Sequence, residues 1–316
     1  MAKVLVTGGS GLIGTALTKA LLAQGHRVSH LSRNRTVTPE AYWKEAVGGA
    51  PSGIPASVLT FAWDPLRGTI DRAALDGVDH IVHLSGASIV DGRWSAARLN
   101  ILNESRAGAA HLLRRTVREE GIGLKSFISA SGTGWYGAIT DDRWHNEEEA
   151  AANDAIGQLT RRWEEAADSF CDLCRVVKLR TPMVLAKEGG ALPRIAAPVR
   201  WSFALPFGSG RPWWPWVHID DLVRTYARAI TDEQMHGSYN VCAAEQPDQR
   251  SFMRTLAKVM HRPYVPIAVP SFALRLMLGE AADLLTKGCR VANERLRAGG
   301  SPFRYDELEG ALRACL

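Results

Sequence analysis

Thr7-Gly8-Gly9-Ser10-Gly11-Leu12-Ile13-Gly14 is the stretch on which the reading of this chain turns. The apolar run Val4-Leu5-Val6 ahead of it reads as a strand. Behind it, Ile13, Ala16, Leu17, Ala20 and Leu21 recur at spacings of three and four, which predicts a helix over 12–23 with Gly25 as its C-terminal cap. Glycines therefore fall at 8, 11 and 14, between a strand end and a helix start. There the first permits a tight turn, the second lets the backbone approach a pyrophosphate, and the third lets helix and strand pack closely. Helix amides add partial positive charge. The plain alternative is a glycine-rich turn without a ligand; the flanking strand and helix favour a dinucleotide held by Gly8, Ser10, Gly11, Leu12, Ile13 and Gly14.

The next strand, Arg27 to Leu31, selects the nucleotide. A site for NAD places Asp or Glu about 20 residues on, to bond the ribose 2′-hydroxyl. Here that place holds Ser32 and Arg33, 19 residues past Gly14, and no carboxylate lies between Arg27 and Pro39. Arg33 can pair with a 2′-phosphate and Ser32 can donate to it, so NADP(H) is the expected cofactor. Otherwise Arg33 is a surface arginine at a strand end.

Outward from this unit the chain alternates. After a variable stretch, Asn34 to Pro55, strands are predicted at Val58–Ala62, His80–Leu84, Ser126–Ser129 and Arg175–Leu179. Helices are predicted at about Ser95–Glu120 and Ala155–Ser169. Alternation of this kind gives βαβ units and an α/β, Rossmann-type doubly wound parallel sheet. Beyond Thr181, prolines and tryptophans cluster at Pro206–Trp216, and amphipathic helices are predicted at Phe252–Met260 and Phe272–Leu285. The division expected is a dinucleotide-binding domain over 1–245, with cap elements inserted after about 185, and a small, mostly helical domain over 246–316.

Composition sets limits. The chain is 46% hydrophobic and 22% charged, an ordinary globular mixture. A net charge of +5 without a dense Lys/Arg run argues against nucleic acid and fits a solvated basic surface with a small anionic ligand. The apolar stretch after Met1 is too short for a signal or a membrane span, so a cytoplasmic monomer or homodimer without a membrane partner is expected. Five cysteines are too few and too scattered for a disulfide framework. Cys171 and Cys174 have C-x-x-C spacing but no second Cys/His pair, so buried structural thiols and no metal are expected.

With these residues in place, the chain resembles the extended short-chain dehydrogenase/reductases, and more narrowly an atypical NAD-dependent epimerase/dehydratase-like (nucleotide-sugar epimerase-like) subgroup. The resemblance spans nearly the whole chain. It includes His83-Leu84-Ser85-Gly86-Ala87, Gly92-Arg93-Trp94, Ser105-Arg106, Ser129-Ala130-Ser131, Trp135-Tyr136-Gly137, Gly189-Gly190 and Trp216-Val217-His218-Ile219-Asp220-Asp221. It implies that Leu84, Ser85 and Gly86 flank the adenosine ribose and pyrophosphate. Arg106 would stand where conventional members carry a structural asparagine, and Val184 would line the nicotinamide side. Ser131 matches the serine that bonds the substrate oxygen, although the spacing to Trp135-Tyr136 carries an extra residue. Conventional members place Tyr-x-x-x-Lys on the next helix, where the lysine lowers the tyrosine pKa and the tyrosine shuttles the proton. Those positions hold Ile156 and Thr160, which can do neither.

Substitutes for that pair are weighed against structural roles. Tyr136 is a candidate proton donor, or an aromatic packed on the nicotinamide. His218 can act catalytically or belong to the start of a helix for which Asp220 and Asp221 read as N-cap and first turn. His145 with Glu147–Glu149 forms either a substrate-facing loop or a solvated charge run. Trp213, Trp214 and Trp216 stack on a ligand or fill the core. Two functions stay open: an NADP-dependent oxidoreductase or epimerase-like enzyme using Ser131 and Tyr136 on a small carbonyl or sugar-derived substrate, and a non-catalytic NADP(H) sensor.

Overall fold

The computed structural model describes residues 1–33, 58–89, 91–300 and 303–316. The whole variable stretch from Asn34 to Pro55 therefore lies outside the described residues. In chain order the described strands are β1 (Lys3–Thr7), β2 (Arg27–Ser32), β3 (Leu59–Asp64), β4 (Thr69–Ile70), β5 (His80–His83), β6 (Ser126–Gly132), β7 (Trp144–His145), β8 (Arg175–Thr181), β9 (Met183–Leu185), β10 (Trp216–His218), β11 (Gly237–Asn240) and β12 (Arg290–Val291). Eight of them form one sheet in the order β11-β8-β6-β5-β1-β2-β3-β4, parallel throughout except for the short β3–β4 hairpin. The order reverses between β1 and β5, the point at which an open α/β sheet opens a crevice for ligands.

The described helices are α1 (Leu12–Ala23), α2 (Ala96–Asn103), α3 (Ala109–Glu119), α4 (Ala155–Asp168), α5 (Leu192–Trp201), α6 (Ile219–Thr231), α7 (Gln249–Val259), α8 (Ser271–Leu278), α9 (Asp283–Thr286), α10 (Glu294–Ala298) and α11 (Leu308–Cys315). Alternation along β1 drives the layering: Val4 and Val6 face a core shared with α1 and α6, whereas Leu5 faces one shared with α3 and α4. Helix α1 ends in a Schellman turn. Gly25 takes φ of 81°, its N–H bonds to Leu22 O at 3.0 Å, and His26 N–H reaches back to Leu21 O at 3.0 Å.

The helix expected over Ser95–Glu120 is broken. Ser95 caps α2 by accepting from Arg98 N–H, but Glu104–Gly108 forms a π-helical turn between α2 and α3. The stretch expected to be helical from Phe272 to Leu285 is likewise interrupted at Gly279, whose φ is 64°. A third core joins Leu185, Trp214 and Trp216 to Phe252, Leu256, Leu308 and Leu312. The inserted elements and the C-terminal helices thus share one cap core. Among the described residues no helix is long and apolar enough to cross a membrane.

Three histidines are sealed into the dinucleotide half. His30, His80 and His83 are all buried, and burial holds each ring at a pKa of about 4. Each binds its proton less readily in the folded than in the unfolded chain, whose ordinary value is 6.5. Their contribution to stability is therefore complete above pH 6.5 and is lost as the pH falls toward 4. Thermal melts between pH 7.5 and 4.5 should show the melting temperature falling steadily below about pH 6.5; an unchanged midpoint across that range would contradict this.

Candidate active site

The glycine loop closes on the sheet as its spacing predicts. Gly8 has φ of 69°, and a Cβ there would lie 2.9 Å from the backbone of Leu84 and Ser85. A Cβ on Gly14 would lie 2.3 Å from Gly8 O, so this glycine is required by the contact of α1 with the turn. Gly11 occupies the N-cap of α1, and a Cβ on it would meet only Gly8 O at 3.3 Å. The first turn of α1 has no side-chain cap and no acidic residue. The N–H groups of Leu12, Ile13 and Gly14, which have no acceptor within the helix, are therefore left to an anion. Ser10 sits half-buried in the turn itself.

Opposite the loop, the Thr7 hydroxyl orders the end of β5. It accepts from Leu84 N–H and Ser85 N–H, each at 3.2 Å, and meets His83 Nδ1 at 2.9 Å. His83 Nε2 contacts the Arg106 carbonyl at 3.1 Å. That carbonyl can only accept, so Nε2 carries the proton and Thr7 donates to Nδ1. The π-helical turn carries Arg106 beneath Gly86, where a Cβ would lie 2.8 Å from the guanidinium carbon. Arg106 donates to Ala87 O at 2.9 Å and Leu102 O at 3.1 Å and lies 4.9 Å from the centre of the Trp163 ring. Burial, and then the charge of Arg98, pull its pKa down to about 10. Among the described residues its Nε and the Ser85 hydroxyl are buried without a protein partner. Uncapped amides, glycines pressed against backbone and two orphaned polar groups around one crevice fit a dinucleotide. Ser32 ends β2 half-buried, and Arg33 beside it is exposed, with no protein partner among the described residues.

Val184 lies on β9, half-buried and paired with Val217 of β10. The Gly189-Gly190 turn runs close to it and touches the Leu12 side chain, with a Cβ on Gly190 falling 3.1 Å from that leucine. This brings the end of β9 close to the start of α1. Past the ends of β6 and β8 opens a cavity of about 960 Å³, floored by Gly132, Thr133 and Thr181 and walled by α4, α5 and the cap. Its size falls near the upper end for small-molecule sites.

Neither Ser131 nor Tyr136 lines that cavity, and here the expected roles need correcting. Ser131 donates to Glu164 Oε1 at 2.6 Å, inside a buried network in which Arg180 bonds both carboxylate oxygens at 2.8 and 3.0 Å and Ser238 donates to one at 3.1 Å. Burial alone would raise the Glu164 carboxyl, but hydrogen bonds and charge from Arg180 outweigh it and hold its pKa below the usual range. Tyr136 is 4% exposed; it donates to Asn240 Oδ1 at 2.8 Å and accepts from Arg180 at 3.1 Å. Burial pushes its pKa further up, away from proton transfer near neutrality. Both hydroxyls are spent on holding β6, β8 and β11 together.

Ile156 and Thr160 do line the cavity, and Thr160 donates back to Ile156 O at 2.8 Å. The hydroxyl that sequence reasoning missed is Thr133, which follows β6 and faces the cavity without a protein partner among the described residues.

The other candidates also resolve. His218, not Asp220, is the N-cap of α6: its Nδ1 accepts from Asp220 N–H at 3.2 Å and its ring lies 3.9 Å from that of Tyr305. His145 is not part of a solvated run. It is buried in β7 between Glu149, at 2.8 Å, and Asp141, at 3.1 Å. Trp216 is core, Trp214 belongs to the same core and also lines the cavity, and Trp213 lines the cavity. Cys171 is exposed and Cys174 half-buried, which corrects the expectation of buried thiols: a 3₁₀ turn at Ser169–Asp172 carries the first to the surface. Among the described residues no group of three metal-ligating side chains occurs.

A parallel sheet reversing at β1/β5, with a glycine turn at the reversal and a cavity beyond the strand ends, defines a Rossmann-type α/β protein built like the short-chain dehydrogenase/reductases. The family model "NAD dependent epimerase/dehydratase family" matches residues 4–242, and the chain belongs to that family. A domain of unknown function matches residues 269–315. Epimerase family protein ML0860 of Mycobacterium leprae is 33% identical over 313 residues, covering 98% of this chain and 94% of that protein. Epimerase family protein YfhF of Bacillus subtilis is 29% identical over 310 residues, covering 98% and 96%. Among solved structures, human epimerase family protein SDR39U1 (isoform 2) with NADPH superposes with a TM-score of 0.84 at 28% identity, covering 99% of this chain and 98% of that one.

Proposed function

We propose that the chain binds NADP(H) and uses it in an oxidoreductase or epimerase-like reaction on a small carbonyl or alcohol. The observation that carries this is an uncapped glycine turn at the reversal of the sheet, with a cavity beyond the ends of β6 and β8. Ahead of the uncapped amides of α1, Gly8 lies against the Leu84-Ser85 backbone, with Arg33 just past the end of the neighbouring strand. Gly190 lies close to Leu12 at the start of α1, and Met183 and Ala191, next in the chain to Val184 and Gly190, line the cavity. The solved relative with NADPH supports the same cofactor. When bound, the dinucleotide supplies or accepts hydride. Gly8, Ser10 and Gly11 to Gly14 would hold its diphosphate, Ser32 and Arg33 its 2′-phosphate, and Leu84 to Gly86 its adenosine side, with Arg106 fixing the backbone beneath them. Thr133 orients the substrate oxygen, and the proton comes from water.

The loss of the Tyr/Lys pair to Ile156 and Thr160 favours a second reading, a sensor that binds NADP(H) without turnover. The two separate in one assay. NADPH consumption against a panel of ketones and aldehydes should be measurable, and Thr133→Val should lower kcat by about 100- to 1,000-fold, the order of one lost hydrogen bond to a developing oxyanion, with NADPH affinity retained. Tight NADPH binding with no consumption across the panel would favour the sensor.

A further inference from the structure

We propose that the cavity takes an apolar, ring-bearing carbonyl compound with a single carboxylate, and not a nucleotide sugar. The proposal rests on the NADP(H) reading only in placing the carbonyl at Thr133. The walls carry the argument. Trp94 comes from the loop after β5, Trp163 from α4, and Trp213 and Trp214 from the segment before β10, so indoles from three separate parts of the chain line one space. Ile156, Met183 and Leu285 lie among them. Surfaces of this kind pack ring faces and offer sugar hydroxyls few partners.

The polar groups on these walls are largely committed. Asp154 accepts from Gly157 N–H at 2.8 Å, which caps α4, and from Ala138 N–H at 2.6 Å, so both carboxylate oxygens are used. That carboxylate also closes the N-terminus of α4 to a phosphate. Arg275 faces Asp283 at 2.9 Å. Thr160 is turned back on its own helix. Arg275 and Lys287 are the only cationic side chains among the described lining residues. A nucleoside diphosphate brings at least two negative charges that need several donors once out of water; these walls do not present them.

One carboxylate is a different matter. Lys287 stands at the cap side of the cavity, exposed, and has no anionic partner among the described residues. Its backbone is fixed on both sides. Lys287 N–H bonds to Asp283 O at 2.9 Å, Gly288 N–H to Ile139 O at 2.7 Å, and Trp213 N–H to Gly288 O at 3.2 Å. A cation carried on a fixed backbone beyond an aromatic wall, with a free hydroxyl on the floor, matches a ligand with an acid at one end, a ring between and a carbonyl at the other.

The probe is 4-benzoylbutyrate, titrated into the full chain with and without NADPH and followed by indole fluorescence. It should quench, bind about fivefold more tightly than its amide, the order of one partly exposed ion pair, and lose that preference in Lys287→Ala. UDP-glucose should not displace it. Displacement by UDP-glucose, equal binding of acid and amide to the native chain, or no quenching by either at millimolar concentration would overturn the proposal. Calorimetry with NADPH alone, run beside it, reads the cofactor assignment separately, because the acid–amide difference is also measured without NADPH.

Discussion

Glu164→Ala is expected to destabilise the protein by about 3–5 kcal/mol, because it leaves a charge in the interior without its counter-ion. Glu164 and Arg180 are each 2% exposed and share two hydrogen bonds of 2.8 and 3.0 Å. Removing the carboxylate strands the guanidinium together with the Ser131 and Ser238 hydroxyls, which both donate to it. Differential scanning fluorimetry should register a fall in melting temperature of about 6–15 °C. Replacing the pair together, Glu164→Met with Arg180→Leu, should recover much of the loss, since apolar side chains of similar volume have no charge to desolvate. A fall of under about 1 kcal/mol, the range of a surface ion pair, would mean that the network is solvated. The pH dependence has a fixed sign. The folded pKa of Glu164 lies below its ordinary 4.5, so its contribution is complete above that value and disappears as the pH falls through the lowered one. The same substitution should loosen the cavity floor, because Ser131 and Arg180 lie on the strands that end at Gly132 and Thr181.

Local rules carried the N-terminal half of the reading. Helix α1 runs over Leu12–Ala23 as its spacing predicts, because turn, helix and cap are all specified within 25 residues by glycines and apolar periodicity. Six strands of the main sheet were legible for the same reason; the two-residue β4 is too short to show a period, and the edge strand β11, opening on Gly237, was not predicted either. The π-helical turn at Glu104–Gly108 was not legible, since one extra residue in a helix rotates the following face without breaking the apolar pattern. Ser131 and Tyr136 were misplaced for a non-local reason. Their partners Glu164, Arg180 and Asn240 arrive from α4, β8 and β11, and no spacing around residue 131 announces them. His145 was misread likewise: its burial depends on β12 pairing with β7 from the far end of the chain. The cap cavity is assembled from several segments, so in advance its tryptophans, Ile156 and Thr160 were visible but not their meeting in one space.

The second large effect concerns Arg33. Its guanidinium stands exposed at the end of β2, beside Ser32, on the neighbour of the strand that delivers the glycine turn. A 2′-phosphate there gains a charge-assisted hydrogen bond worth about 1.5–3 kcal/mol, a preference for NADPH over NADH of about 10–100-fold. Arg33→Glu replaces that attraction by repulsion while restoring the acceptor that a 2′-hydroxyl favours. It should cost most of the NADPH affinity and leave NADH unharmed or improved. Isothermal titration calorimetry of the native chain and Arg33→Glu with both dinucleotides is the direct test. NADPH bound preferentially by the native chain, and that preference erased or inverted in the variant, is the expected result. Equal affinities for NADH and NADPH in the native chain, both unmoved by the charge reversal, would contradict it.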